Sequence, residues 1–187
     1  MIRLLIAALV LMLSGAAGAV HAQSEGAWKS MTPVDLREPS TTDPLQTQVW
    51  PDVIREVNDY TSREFKRPLN GKNGWIKALS AFFRQGEKTY IVSTALYRKC
   101  DSGANNAGSG IEPSMCPLRI ALIEKGAAKI IHSGTGCYID PPDRNMPASN
   151  QHDGIQVRLD PATGQIQIRA LIGGAWVAEC SRTISLR

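Results

Sequence analysis

Ile155-Gln156-Val157-Arg158-Leu159, then Asp160-Pro161-Ala162-Thr163-Gly164, then Gln165-Ile166-Gln167-Ile168-Arg169: this is the stretch that decides the fold. Apolar residues occupy every second position on both sides of a segment that carries Pro and Gly where a turn needs them. Successive side chains of a strand point to opposite faces, so each half buries one face and wets the other. Gly173-Gly174 makes a further tight turn into residues 175–186. Three successive antiparallel strands in one sheet, with one face in water, are therefore expected.

Working outward, the same pattern recurs. Residues 118–124 and 129–133 flank Lys125-Gly126, and residues 75–83 and 89–98 flank Gln85-Gly86-Glu87-Lys88, which predicts two more hairpins. Asn70-Gly71-Lys72-Asn73-Gly74 is turn chemistry ahead of the first of these. Asp140-Pro141-Pro142-Asp143 opens a long irregular connection that lasts to Asp153-Gly154. About seven strands joined mostly by short turns, with one early helix, predict a mainly β chain of the α+β type: an antiparallel meander, sandwich or small barrel.

The helix is expected over residues 51–65. Pro51 suits a first helical position and Asp52 complements the positive helix end, while Val53, Ile54, Val57 and Tyr60 fall on one face opposite Arg55, Glu56, Asn58 and Asp59. Before it, residues 23–49 are rich in Pro, Ser and Thr, and Thr32-Pro33, Glu38-Pro39 and Asp43-Pro44 favour extended backbone. That predicts an extended lead segment with a short strand near residues 34–36, its ends pinned by Trp28 and Trp50. Residues 1–22 read as a cleaved export signal: Arg3, an apolar run over 4–13, and Val20-His21-Ala22 before Gln23. The apolar run is too short for a membrane span, and no cysteine stands near the cleavage site for a lipid anchor. The expected organisation is a signal over 1–22, the lead over 23–49, and a single β-rich domain over 50–187, with a periplasmic location and no transmembrane anchor after cleavage.

The whole chain carries +4, of which Arg3 is the only charge in the leader, leaving about +3 spread without a basic run. Export and this mild, scattered charge exclude nucleic acid as the natural partner. Four cysteines remain after cleavage, an even count that in an oxidising compartment predicts two disulfides with three possible connectivities. Cys100–Cys116 with Cys137–Cys180 is the preferred pairing, contributing roughly 3 and roughly 4 kcal/mol by loop-closure entropy. Zinc is disfavoured, since no Cys-x-x-Cys occurs and the leader takes one of the three histidines.

Between Cys100 and Cys116 lie fifteen residues, mostly Gly, Ser, Ala and Asn. Such residues build no core, and dense β sequence flanks them on both sides, so the segment reads either as a presented loop or as a stapled hairpin insertion.

Catalytic signals are sparse. Oxidised cysteines are not nucleophiles, Ala107-Gly108-Ser109-Gly110 lacks the spacing of a nucleophile elbow, and His132 sits in a strand beside Ile130 and Ile131. Asp140, Asp143, Asn150, His152 and Asp153 share the long connection, where oxygen ligands for calcium are conceivable, but their Asp-Pro and Asp-Gly contexts are ordinary turn signals. No glycine-rich phosphate cradle leads into a helix. No cofactor and no enzymatic activity are expected.

The leader ending Val20-His21-Ala22, the β-rich body and the small-residue loop with Ser102, Ser109 and Ser114 together resemble the exported immunity proteins that protect bacteria from peptidoglycan-cleaving amidase toxins of type VI secretion. The resemblance is one of general architecture. It implies a protein partner, a secreted cell-wall hydrolase, whose active-site groove receives a loop serine; Ser109 between Gly108 and Gly110 takes that role by the same resemblance. Ser102, Asn105, Asn106, Ser109, Gly110, Ile111 and Met115 are the expected partner-binding residues, with Tyr97 as a neighbouring anchor. A binding module for a wall glycan or small molecule, using Trp75 or Trp176, is the alternative, and an enzyme ranks last.

Overall fold

A computed structural model describes residues 26–38, 44–66, 69–102, 113–140 and 153–186. The signal over 1–22 lies outside them. In chain order the elements are β1 (Lys29–Ser30), β2 (Thr32–Asp35), α1 (Pro44–Val49), α2 (Pro51–Phe65), β3 (Lys77–Gln85), β4 (Lys88–Leu96), β5 (Asp101–Ser102), β6 (Ser114–Glu124), β7 (Ala127–Tyr138), β8 (Gly154–Asp160), β9 (Gln165–Ile172), β10 (Ala175–Trp176), a 3-10 turn over Ala178–Cys180, and β11 (Arg182–Ser185). The described residues are mainly β, in two antiparallel sheets with two helices and two disulfides, and no barrel closes among them.

One sheet runs β2-β3-β4-β6-β7, with β5 extending the β4 side of β6. The other runs β1-β8-β9, with β10 and β11 following one another along the free side of β9. The two sheets face each other across one core. Leu79, Ala81, Phe83, Tyr90, Val92, Leu118 and Ile120 from the larger sheet meet Ile155, Val157, Leu159, Ile166 and Ile168 from the smaller. Met31, between β1 and β2, turns the corner from one sheet to the other and donates its N–H to the Ile155 carbonyl.

A second core lies on the opposite face of the larger sheet. There Leu36, Val49, Trp50, Val53 and Val57 cover Ile76, Ala78, Ile91, Ala95 and Ala121. Both faces of β4 are thus covered, which is why Tyr90 through Ala95 is buried without alternation. The smaller sheet keeps one wet face, and β8 and β9 alternate as the sequence predicts.

α2 occupies the expected residues and ends on Lys66 in the left-handed conformation. The lead segment differs from expectation. It holds strands β1 and β2 but also the helix α1, which the sequence reading placed in extended chain. Six residues are too few for a helix to show a period or to stand alone, and packing holds this one, with Gln46 and Val49 fully buried. Trp50 joins the two helices: its N–H reaches the Gln46 carbonyl, and its own carbonyl accepts from Ile54 N–H. The last expected strand is split into β10 and β11. Between them the 3-10 turn carries Cys180 into the core. At the β9–β10 hairpin Gly173 and Gly174 both take positive φ, 58° and 76°, as a two-residue hairpin turn demands.

Both preferred disulfides are present. Cys100–Cys116 joins the β4–β5 connection to β6, and Cys137–Cys180 ties β7 of one sheet to the 3-10 turn of the other, with Cα atoms 4.5 and 5.3 Å apart. Two disulfides suit an oxidising compartment outside the cytoplasm. Among the described residues no helix is long and apolar enough to cross a membrane.

Candidate functional site

Two surfaces hold the chemistry that the described residues offer. The first is the neck of the segment between Cys100 and Cys116. Cys116 is fully buried in β6, and Cys100 packs against both cores. The Tyr97 carbonyl accepts the Cys100 N–H at 3.0 Å, closing a tight turn after β4. Beyond the disulfide, Asp101 pairs with Met115 and Ser102 with Ser114. Met115 also lies opposite Cys137, their sulfurs 3.5 Å apart. The segment therefore leaves the body from a braced two-strand ladder. Asn105, Asn106, Ser109, Gly110 and Ile111 lie outside the described residues.

An aromatic and cationic rim adjoins this neck. Arg98 stacks on the Tyr60 ring of α2 at 4.7 Å, and Tyr60 meets Phe65 edge to face, with Phe65 58% exposed. Glu56 receives Arg98 at 2.7 Å and Lys99 at 2.8 Å. The Lys99 hydrogen bond, with the charges of Lys99 and Arg98, holds the Glu56 carboxyl below the usual range. Tyr97 is buried rather than a free anchor, and burial raises its phenol pKa.

The second surface is the wet face of the smaller sheet. The register sets Gln156 opposite Arg169 and Arg158 opposite Gln167. Each arginine donates to its partner glutamine, Arg169 Nε to Gln156 Oε1 at 2.8 Å and Arg158 Nη2 to Gln167 Oε1 at 2.6 Å. Trp28, just ahead of β1, and Trp176 of β10 stand 6.5 Å apart edge to face. The Arg169 guanidinium lies 3.9 Å from the Trp28 ring and 4.2 Å from the Trp176 ring, and Arg158 lies 5.1 Å from Trp28. Desolvation, and then the like charge of Arg158, lower the Arg169 pKa. Arg158 Nε is buried with no hydrogen-bond partner among the described residues. A cleft of about 330 Å³ opens beside the stack, and Arg182 and Thr183 of β11 form part of its wall.

The other sequence candidates fall elsewhere. Asp143, Asn150 and His152 lie outside the described residues. Asp140 binds Lys77 at 2.8 Å and accepts from Tyr138 Oη at 3.4 Å; Asp153 is buried and takes the Gly174 N–H, so these two serve turns and strand ends. Among the described residues no three His, Cys, Asp or Glu side chains gather where they could hold a metal ion. His132 pairs with Ile120 in the ladder. Trp75 is 52% exposed, with the Lys77 ammonium 6.0 Å from its ring.

Sequence reasoning named Trp176 singly but missed its union with Trp28, Arg158 and Arg169. The two Gln–Arg pairs were open to derivation from the β8–β9 turn and its register. Trp28 was not, because it stands just ahead of a strand of only two residues, which shows no period.

No protein-family model matches the chain, and no curated protein or solved structure resembles it significantly.

Proposed function

We propose that this chain is an exported, periplasmic binding protein that inhibits a cell-wall-degrading enzyme, of the immunity-protein kind, with the segment between Cys100 and Cys116 as its insertion element. The observation that supports this reading is the neck. A disulfide and a short ladder fix both ends of a segment rich in Gly, Ser and Asn, which lowers the entropy lost when a partner orders it. Beside the neck stand Arg98, Tyr60 and Phe65, and arginine and aromatic residues are the types enriched where proteins meet. Ser109 is the proposed tip residue, and Ser102 and Met115 sit at the base.

An interaction screen in periplasmic extract followed by titration tests it. The chain should capture a peptidoglycan hydrolase, and Ser109→Trp should weaken the complex by more than ~2 kcal/mol, the size of a hot-spot loss, because a cleft fitted to Gly-Ser-Gly does not admit an indole. The thermal midpoint should stay put, since surface substitutions remain within about 0.5 kcal/mol. Unchanged affinity in both Ser109→Trp and a shortened segment would remove the insertion element.

A second reading, a binding module for a wall glycan or small ligand, is favoured by the Trp28–Arg169–Trp176 stack and its cleft.

A further inference from the structure

We infer that the cleft on the wet face of the smaller sheet is a binding site for an acidic saccharide, a sugar chain carrying carboxylates; this rests on the second reading above. Three features converge on it. The first is charge: Arg169 makes no ion pair among the described residues, and Arg158, whose charge acts on the Asp160 carboxylate, makes none at contact distance, whereas Arg98 and Arg119 each hold a carboxylate. Arg158 and Arg169 stand about the same indole, and each spends one N–H group on a neutral glutamine. A guanidinium stacked on an aromatic face keeps its in-plane N–H groups for a carboxylate, which it meets in a bidentate fork. An arriving anion also relieves the repulsion that Arg158 exerts on Arg169.

The second feature is the aromatic platform. Trp176 is 59% exposed at the cleft, so part of its indole is open to a ligand. Indole faces take the apolar face of a sugar ring by dispersion and exclusion of water. The third is the wall opposite. Ser181 and Thr183 present hydroxyls and Gln167 an amide, groups that pair with sugar hydroxyls, while no carboxylate lines the cleft among the described residues. Its volume, about 330 Å³, is at the small end of ligand sites and suits a short length of chain rather than a protein surface. Charge selects an anion, the indoles select a ring, and the hydroxyls select a polyol; a carboxylated sugar carries all three.

Titration calorimetry and indole fluorescence on the folded exported chain test this, with a linear trisaccharide of hexuronic acids as probe and its neutral methyl ester and inorganic phosphate as controls. The uronate should bind saturably and change the tryptophan emission, and the ester should bind at least tenfold more weakly. Arg169→Gln and Trp176→Ala, both on the wet face, should each weaken uronate binding at least tenfold while the chain still unfolds in one cooperative transition. Equal binding of ester and acid would leave a glycan module but overturn the acidic ligand. Equal binding of phosphate would reduce the cleft to a bare anion site and overturn the saccharide. Absence of saturable uronate binding, or binding that neither variant weakens, would overturn both this inference and the glycan reading.

Discussion

Arg119 of β6 grips Asp52 at the start of α2 with both ends of its guanidinium, Nη1 to Oδ1 and Nη2 to Oδ2, each at 2.6 Å. The same Nη1 reaches the Val49 carbonyl at 2.7 Å, and the guanidinium lies 4.6 Å from the Trp50 ring. One side chain thus serves the end of α1, the link between the helices and the first turn of α2. Arg119 is largely buried and Asp52 largely exposed. Replacing Arg119 by Met keeps the stem but removes the fork and the bond to the carbonyl, which should cost about 2 kcal/mol in denaturant unfolding. The pair also sets a pH dependence. The hydrogen bond from Arg119, helped by its charge, lowers the Asp52 carboxyl from 3.8 to about 2. Because the folded value lies below the unfolded one, the contribution is complete above about pH 4 and is lost as pH falls through about 2. With Asp52 exposed, solvent screening holds it to on the order of 1 kcal/mol. Asp52→Asn should flatten that part of the stability profile; an unchanged profile would show that the pair contributes nothing.

Gly74 marks where the chain leaves α2 for the larger sheet. A Cβ at this position would stand 2.8 Å from Val57 Cγ1 and 3.1 Å from the Val57 carbonyl, and would collide with Thr61 Oγ1. Its N–H is held by Asn58 Oδ1 at 2.8 Å, and Asn58 in turn donates to Asn73, whose amide reaches the Leu36 carbonyl at 2.6 Å. Gly74→Ala therefore cannot slide aside without breaking this chain of bonds. A loss of about 1–3 kcal/mol is expected, the range for an extra methyl in a packed interior. A midpoint equal to wild type would mean that the loop yields freely.

The two disulfides should separate in their effects. Cys137–Cys180 spans 43 residues and joins the two sheets, so its removal loosens the packing of one sheet on the other as well as the unfolded chain. Cys100–Cys116 spans 16 residues within one sheet. Loop-closure entropy assigns about 4 kcal/mol to the first and about 3 kcal/mol to the second. The variant with Cys137 and Cys180 both replaced by Ala should be the less stable of the two double replacements, and peptide mapping without reductant should find both bridges in wild-type protein. The opposite order of stabilities would mean that the sheets hold together without their crosslink.

How far the sequence foretold this molecule depends on where a residue's environment is set. Ile155 to Arg169 fixes its own alternation and its own turn, and α2 announces itself through Pro51, Asp52 and the Val53–Val57 face, so both were legible. The cysteine pairing was a preference among three connectivities, and the structure contains the preferred one. The helix α1 was illegible because Gln46 and Val49 are helical only through what they touch. For the Trp28–Arg169–Trp176 stack, Trp28 stands more than a hundred positions before the hairpin that carries Arg169 and Trp176, and it meets them only through sheet register. The proposed insertion residues rest on composition and a family resemblance, and physical patterning in the chain speaks only to their neck.

The buried polar cluster beneath the helices makes the last prediction. Ser93 Oγ accepts from Trp50 Nε1 at 2.9 Å and from Ser80 Oγ at 2.8 Å, and it donates to the Leu79 carbonyl at 3.1 Å. Ser80 Oγ also lies 2.9 Å from Gln46 Oε1, so its single proton is divided between two acceptors. Among the described residues, Gln46 Nε2 is buried with no hydrogen-bond partner. The two ends of the cluster should therefore respond in opposite ways. Ser93→Ala strands the indole N–H of a fully buried tryptophan and should cost about 1–3 kcal/mol, the desolvation penalty of a donor left unpaired. Gln46→Met keeps the length of the side chain, removes the orphaned amide, and leaves Ser80 its bond to Ser93; it should be neutral or stabilising by up to about 1 kcal/mol. Chemical denaturation of the two variants beside wild type decides the matter. If Gln46→Met is destabilised as much as Ser93→Ala, the amide has a partner in solution and Gln46 belongs to the network rather than to its unpaired edge.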